Sequence, residues 1–314
     1  MLVHLLVDYS FLYYKYKFQL ENGYMKRLTT PLEWHGTVIE KDVSQIYYSM
    51  REIEKFRRQL EQVGHSVIVS VCFDMPSARK EMLAGDSEAS AKYKSNRVKH
   101  LSDEDFENIR FVQSLLDKAG YNTYRFDRYE ADDIIAHLVN EYKDAFDYNV
   151  IYTPDLDLLV HISDKVGVSR YKAKSGYGAV DMKNFSSYIG AELKCNMPYN
   201  ALTLYKATVG DKSDCIDGIK KFGPKAFDKM VAALTARGVE WSQLGDWRNT
   251  EKVLQLALDS GIITDDQFKQ ASESLSLVRP MAFDDGVVAE PVKHSTRELR
   301  EAAYTPVNMK SLVD

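Results

Sequence analysis

The chain has 314 residues, 45% of them hydrophobic and 28% charged, an ordinary balance for a globular protein with room for one large domain or two modest ones. Its 41 basic and 46 acidic residues give a formal net charge of −5, a bulk figure that speaks weakly against nucleic-acid binding, although the distribution of charge matters more than its sum. Three widely spaced cysteines, Cys72, Cys195 and Cys215, argue against a disulfide framework and fit a reducing cytoplasm, and the apolar opening MLVHLLVDYS is too short and too soon charged for a signal peptide or a membrane span.

In chain order, VHLLVD reads as a buried strand that ends on Asp8, with His4 an ordinary strand residue. Residues 42–63 carry Val43, Ile46, Tyr47, Met50, Ile53, Phe56, Leu60 and Val63 at helical spacing, and Gly64 follows as a stop. SVIVSVCFD is a second strand, ending on Asp74. SDEDFENIRFVQSLLDKAG is a second amphipathic helix, opened by a serine or aspartate cap and closed by Gly120. The strand NTYRF then precedes YEADDIIAHLV, a helix whose first turn holds Glu130, Asp132 and Asp133, with His137 on its face. NVIYT is followed at once by Asp155 and Asp157, and VGVSRY is a further strand. Strands alternating with helices of this length imply an α/β fold: a mainly parallel twisted sheet with helices on both faces. From about residue 195 to 275 the pattern changes to short helices and loops, which sets a core over 1–194 apart from a helical subdomain over 195–275, with a less regular extension over 276–314. There is no internal repeat and no low-complexity segment.

Acidic residues recur at the carboxyl ends of the expected strands, where open α/β sheets place their ligands. Helix capping accounts for Glu130, Asp132 and Asp133 as well as a metal does. It does not account for Asp8 and Asp74, which end buried strands, where an unpaired carboxylate is costly. All-oxygen donors suit Mg²⁺ or Mn²⁺ rather than zinc, and no Cys/His spacing offers an alternative. So many acids exceed the needs of one ion, and a two-metal site for phosphodiester cleavage is the economical reading. Neither a Walker-type nor a dinucleotide-type glycine loop is present, and no serine or cysteine sits in a nucleophile elbow.

The segment KATVGDKSDCIDGIKKFGPKAFDKM resembles the helix–three-turn–helix signature of the 5′-nuclease, or flap endonuclease, superfamily. The family's other motifs follow the same order: the strand ending in Asp8, Phe73–Asp74, YKSNR from Tyr93 to Arg97, EADD from Glu130 to Asp133, TPDLDLLV around Asp155 and Asp157, and GDKSD with Asp211 and Asp214. The match spans about residues 1–230, and in style it is similar to the stand-alone bacteriophage 5′-3′ exonucleases. The resemblance implies a PIN-like core with an arch or gateway over about 76–104. It implies a first-metal set of Asp8, Asp74, Glu130 and Asp132 with Asp133 close behind, and a second-metal set of Asp155, Asp157, Asp211 and Asp214, Asp155 being the shared member. It places Lys94 and Arg97 on one helical face toward the scissile phosphate, with Tyr93 stacking on the terminal base and Arg79 and Lys80 helping to funnel the strand. In GIKKFGPKAF, Gly218 and Gly223 permit a tight hairpin that approaches a phosphodiester, Lys220, Lys221 and Lys225 add charge for duplex DNA, and the resemblance implies a K⁺ held by the hairpin's backbone carbonyls.

The sequence departs from the family pattern at Tyr9, Thr153–Pro154, Leu156, Cys215 and Asp217, without losing a carboxylate; Asp217 adds an acid beside the hairpin. The resulting expectation is a Mg²⁺-dependent, structure-specific 5′-3′ exonuclease and flap endonuclease. Its substrate is branched or 5′-ended DNA, extending to RNA in RNA–DNA hybrids. The expected setting is a cytoplasmic monomer working beside replication proteins, away from any membrane and in the host cell if phage-encoded. A PIN-like endoribonuclease and a non-catalytic module that grips branched DNA are the rivals. The first is opposed by the hairpin segment, and the second by a set of acids that would repel phosphate.

Overall fold

The computed structural model describes residues 1–76, 92–95, 101–172, 176–244, 247–281, 283 and 289–313. The chain divides into two compact units, one formed by 1–76, 100–154 and 283–314, the other by 77–99 and 155–282.

The first unit is built on four parallel strands, β1 (Leu2–Asp8), β4 (Ser66–Cys72), β5 (Asn122–Tyr124) and β6 (Tyr148–Thr153), in the order β5-β4-β1-β6. In register, Val7 lies opposite Val71 and Tyr152, and Asp8 opposite Cys72. Period-two alternation sends Leu5, Val7, Val67, Val69, Val71 and Tyr152 into one core. There they meet Ile46, Met50 and Ile53 of α2 (Ser44–Gln62) and Val112, Leu115 and Leu116 of α3 (Asp103–Lys118). Helix α1 (Tyr9–Glu21) adds Tyr9, Leu12 and Tyr13. On the opposite face, α4 (Ala131–Tyr142) packs Ile134, Ile135, Leu138 and Val139 over β1 and β4. The result is the α/β arrangement the sequence implies, a mostly parallel sheet with helices on both sides.

Helix limits follow the expected chemistry. Ser102 caps α3, its Oγ accepting from the Asp105 N–H at 3.2 Å while Asp105 Oδ2 accepts from the Ser102 N–H at 2.7 Å. Beyond α2 and α3 the chain turns at Gly64 and Gly120, with φ of 90° and 81°. Among the elements not expected from the sequence is the antiparallel hairpin of β2 (Thr29–Trp34) and β3 (Thr37–Asp42). Its turn residues His35 and Gly36 both have positive φ, 51° and 77°, as a two-residue hairpin turn requires.

The face of the sheet under α4 carries a buried polar cluster. His4 Nε2 lies 2.7 Å from Ser70 Oγ and Nδ1 lies 3.2 Å from Asn149 Oδ1, with Phe146 stacked on the ring. The neutral imidazole satisfies both bonds by donating to the asparagine oxygen and accepting from the serine hydroxyl. Burial lowers the His4 pKa to about 3, against the opposing effect of the Asn149 bond. The unfolded chain takes up this proton near pH 6.5 and the folded chain does not. Stability is therefore complete above that pH and falls by about 1.4 kcal/mol per unit as pH drops toward the folded value. In denaturant titrations at pH 7 and pH 5, His4→Gln should show a shallower pH slope than the parent; equal slopes would remove His4 as the cause.

The second unit is mainly helical. After the 3₁₀ turn Asp157–His161 and the antiparallel pair β7 (Val166–Lys172) and β8 (Gly176–Val180), it contains α5 (Phe185–Leu193), α6 (Leu202–Val209), α7 (Pro224–Thr235), α8 (Trp247–Asp259) and α9 (Asp265–Val278). Helix α6 is central to it, packing against α7, α8, α9 and the 157–161 turn. Residues 283–313, including α10 (Arg297–Tyr304), return to the first unit, where Tyr304, Met309, Leu312 and Val313 join its core. Among the described residues no helix is long and apolar enough to cross a membrane.

Candidate metal centre and nucleic-acid hairpin

Parallel strands deliver their carboxyl ends to one edge of the first unit, and the first acidic set lies there. Asp8 is both the last residue of β1 and the N-cap of α1: Oδ1 accepts from the Phe11 N–H at 3.3 Å, and Oδ2 accepts from Thr153 Oγ1 at 3.1 Å, at the end of neighbouring β6. Asp74 lies just past β4, with its N–H donating to Ser10 Oγ at 3.2 Å and its Oδ1 accepting from the Ala131 N–H at 2.7 Å, the first amide of α4. Asp74 is exposed and Asp8 half-buried, so the desolvation argument made from the sequence does not hold for Asp74. What gathers these acids is strand topology and the amide-rich helix N-termini they face.

At the start of α4, Glu130 and Asp133 form a reciprocal capping box. Asp133 is fully buried, and its N–H donates to Asp132 Oδ1 at 2.8 Å. Each of Glu130, Asp132 and Asp133 also offers a carboxylate oxygen within 4.8 Å of the others. Capping and metal-ligand geometry are thus two uses of the same acids. At the end of β4, burial first and then the Asp8 and Asp74 charges keep the Cys72 thiol protonated.

The members of the second acidic set lie in the second unit. Asp155 Oδ1 accepts from the Asp157 N–H at 2.9 Å. Asp211 follows α6 and accepts from both the N–H and Oγ of Ser213, at 2.8 and 2.5 Å, while its backbone pairs with Ile216. Sequence reasoning missed the group that joins them: Lys206 Nζ is ion-paired with Asp157 Oδ1 and lies 2.5 Å from Asp211 Oδ2. Burial opposes ionisation of Asp211, but Lys206 and the Ser213 donors outweigh it and hold the carboxyl below its ordinary range. A lone lysine inside the apolar run LTLYKATV is the one sequence signal for this, since a cation buried there needs an anionic partner.

The glycine-bracketed hairpin closes on itself by backbone contact. Gly210 and Gly218 have φ of 90° and 65°; a Cβ on Gly218 would lie 2.4 Å from Gly210 N and 2.7 Å from Thr208 O, and one on Gly210 would lie 2.5 Å from Ile216 O. Gly218→Ala should therefore destabilise the second unit by more than the ~1 kcal/mol of an ordinary glycine substitution and weaken duplex binding with it; unchanged melting and binding would count against this packing. Gly223 differs from expectation. It is extended, at φ −115°, as the N-cap of α7, and a Cβ there would meet nothing, so the tight-turn argument applies to Gly218 and the second left-handed position is Lys221, at φ 62°. Lys220, Lys221 and Lys225 are exposed. A cavity of about 830 Å³ opens beside the hairpin, lined by Lys92, residues 215–223 and, from α9, Gln270, Glu273, Ser274 and Leu277. The Lys220 N–H donates to Gln270 Oε1 at 2.7 Å, and Lys92 Nζ reaches Asp217 at 3.4 Å, which partly answers that extra acid.

Two expectations for the YKSNR segment change. Tyr93 is 3% exposed and packed on Ile216 and Leu277, so as placed it offers no open face to a base. Lys94 has φ 51°, in a left-handed turn rather than within a helix. Its N–H donates to the Asp214 carbonyl at 2.8 Å, and its Nζ lies 5.0 Å from the Tyr93 ring centroid. Arg97, Arg79, Lys80 and most of the expected arch lie outside the described residues.

An α/β sheet edge lined with carboxylates, together with a lysine-bearing backbone hairpin in a helical unit, defines a phosphodiester-handling class of protein. Residues 3–190 match the family model of the 5′-3′ exonuclease, N-terminal resolvase-like domain. The chain is 30% identical over 227 residues to the 5′-3′ exonuclease of Mycoplasma pneumoniae, covering 71% of this chain and 69% of that one. It is 33% identical over 190 residues to DNA polymerase I of Synechocystis sp., covering 56% of this chain and only 18% of the polymerase. The T5 D15 protein co-crystallised with metal ions has the same fold, with a TM-score of 0.55 at 14% identity over 99% of this chain and 97% of that one. A complex of the T5 D15 flap endonuclease with DNA and metal ions gives the same TM-score at the same identity, over 99% and 96%. The chain belongs to the 5′-3′ exonuclease family.

Proposed function

We propose that the chain is a Mg²⁺-dependent, structure-specific 5′-nuclease that hydrolyses DNA at 5′ ends and flap junctions, and the RNA strand of RNA–DNA hybrids. The observation that carries this reading is the carboxylate cluster of Glu130, Asp132 and Asp133, within 4.8 Å of one another at the edge where Asp8 and Asp74 also end. An all-carboxylate donor set fits a hard divalent cation. A divalent ion held there would supply charge to lower the pKa of an attacking water or to stabilise a departing 3′ oxygen, and Asp155, Asp157, Asp211 and Asp214 would hold a second such ion.

The chain's own residues do the rest. The N-terminal amides of α1 and α4 fix the orientation of Asp8 and Asp74, so the oxygens are pre-arranged. The exposed lysines 220, 221 and 225 hold duplex phosphates while the Gly218 turn brings backbone close to them. Lys94, anchored through its amide to Asp214, supplies charge for the scissile phosphate, with Arg97 beside it in sequence. On this reading residues 195–275 act as the duplex-gripping subdomain, and backbone carbonyls of the hairpin would hold K⁺. The protein works as a monomer in the cytoplasm, with replication proteins as its context. Support comes from the exonuclease name of the M. pneumoniae relative and from the DNA and metal ions bound by the D15 endonuclease.

Cleavage of a labelled 5′-flap duplex, with Mg²⁺ and with chelator, beside a blunt duplex and a single strand, is the test. Metal-dependent cutting focused at the junction is expected. Tight binding without cutting would overturn the enzyme in favour of a binding module, and cutting of single-stranded RNA alone would favour an endoribonuclease.

A further inference from the structure

Residues 202–208 of α6 are all buried, and within that stretch only Lys206 carries a charge. An ammonium in such a place is costly unless paired, and its side chain is 8% exposed. Its two partners come from different segments of the second unit: Asp157 from the turn that follows β6, and Asp211 from the loop that follows α6. A single cation thus joins two carboxylates that would otherwise repel each other in a poorly solvated space.

We infer that Lys206 is a built-in counter-cation of the second acidic set: it holds Asp157 and Asp211 together before a divalent ion arrives and competes with that ion for their oxygens. The inference rests on the reading of Asp155, Asp157, Asp211 and Asp214 as a metal-binding set. Lys206 touches no reacting atom, so it is a positioning residue. The ammonium donates to Asp211 Oδ2 and pairs by charge with the buried Asp157 Oδ1, which has no hydrogen-bond donor of its own among the described residues, and so keeps the loops in register. A divalent ion coordinated by the same oxygens must push the ammonium aside or share them with it, because two cations cannot occupy one short gap at full strength. The consequence is a threshold: the second set fills at a higher metal concentration than its carboxylates alone would demand.

The test uses the intact chain and Mn²⁺ alone, without DNA, read by calorimetric titration, by the spin-resonance signal of free Mn²⁺, and by melting in chelator and in Mn²⁺. Lys206→Met should melt below the parent in chelator, recover in Mn²⁺, and bind its weaker Mn²⁺ roughly tenfold more tightly. Lys206→Arg should stay near the parent in all three. Lys206→Gln, which keeps hydrogen bonding but loses the charge, should follow the methionine variant. If Asp211→Asn abolishes weak Mn²⁺ binding but Lys206→Met leaves its affinity unchanged, the counter-cation role fails and the metal set stands. If Asp211→Asn and Asp157→Asn both leave Mn²⁺ stoichiometry unchanged, the metal set itself fails. Failure of both Lys206→Met and Lys206→Gln to fold even in Mn²⁺ would also overturn the role, since the divalent ion should replace the lost charge.

Discussion

Asp132→Asn should lower flap cleavage by about 10³-fold at saturating Mg²⁺ while leaving duplex affinity within a few fold of the parent. The substitution is unusually clean. Asp132 Oδ1 accepts the Asp133 N–H at 2.8 Å, and an asparagine oxygen can keep that bond, so the first turn of α4 and its capping box survive. What is lost is one negative oxygen donor among three that lie within 4.8 Å of one another. Loss of a metal ligand removes several kcal/mol of transition-state stabilisation, and about 4 kcal/mol corresponds to that rate factor. Single-turnover cleavage and a binding titration on the same flap substrate separate the two quantities. Parent-like cleavage in Asp132→Asn would sink the proposed centre; an equal loss of binding and cleavage would place Asp132 in substrate holding instead.

The second large effect concerns stability. Glu54 of α2 is fully buried, and its Oε1 accepts from both the Tyr121 and the Tyr304 hydroxyls at 2.7 Å, while its Oε2 accepts from Arg57 Nε at 2.9 Å. Burial first, and then the Glu54 charge, keep both phenols protonated. Glu54→Ala leaves a 2%-exposed guanidinium with only its bond to Glu61, and it strands two hydroxyls in the core. Breaking a buried pair in this way costs about 3–5 kcal/mol. Tyr304→Phe, which removes a single bond, should cost about 1 kcal/mol. Chemical denaturation of the three proteins measures both; similar midpoints for Glu54→Ala and Tyr304→Phe would mean that water or a repacked side chain replaces the carboxylate.

Much of the first unit is legible in the sequence because its central strands are buried on both faces and read as unbroken apolar runs. VHLLVD, SVIVSVC and NVIYT gave β1, β4 and β6 with their acidic ends, and periodicity gave α2 and α3. Where elements are half-exposed the signal fails. β2 contains Pro31 and buries only Leu32, and β3 buries only Lys41, so neither alternates clearly. β8 is short and glycine-rich. Asp8, Asp74, Asp155 and Asp157 could be located because they follow strand ends and Glu130 to Asp133 because they open a helix, whereas Asp211 and Asp214 came only from the motif resemblance and Lys206 left only the weak signal of a cation inside an apolar run. Tyr93 shows the converse: an aromatic in a basic segment suggested base stacking, and hydrophobic burial claimed the ring instead. Residues 283–313 join the first unit through scattered contacts, Asn122 with Lys293, Ser295 with the Ala119 carbonyl, Tyr124 with the Ala289 carbonyl, and none of these forms a periodic pattern.

That returning segment bears on the order of events during synthesis. Residues 155–281 emerge from the ribosome as one continuous stretch and can assemble as soon as they clear it. The first unit cannot, because Tyr304, Leu312 and Val313 fill a core whose first strand, β1, was made roughly 300 residues earlier, at the slow, long-range end of folding topologies. The carboxylate edge of β1, β4 and α4 therefore gains its full support only after the last turns have been translated. A nascent chain would pass through a stage in which the glycine-bracketed hairpin is formed and the carboxylate edge is not.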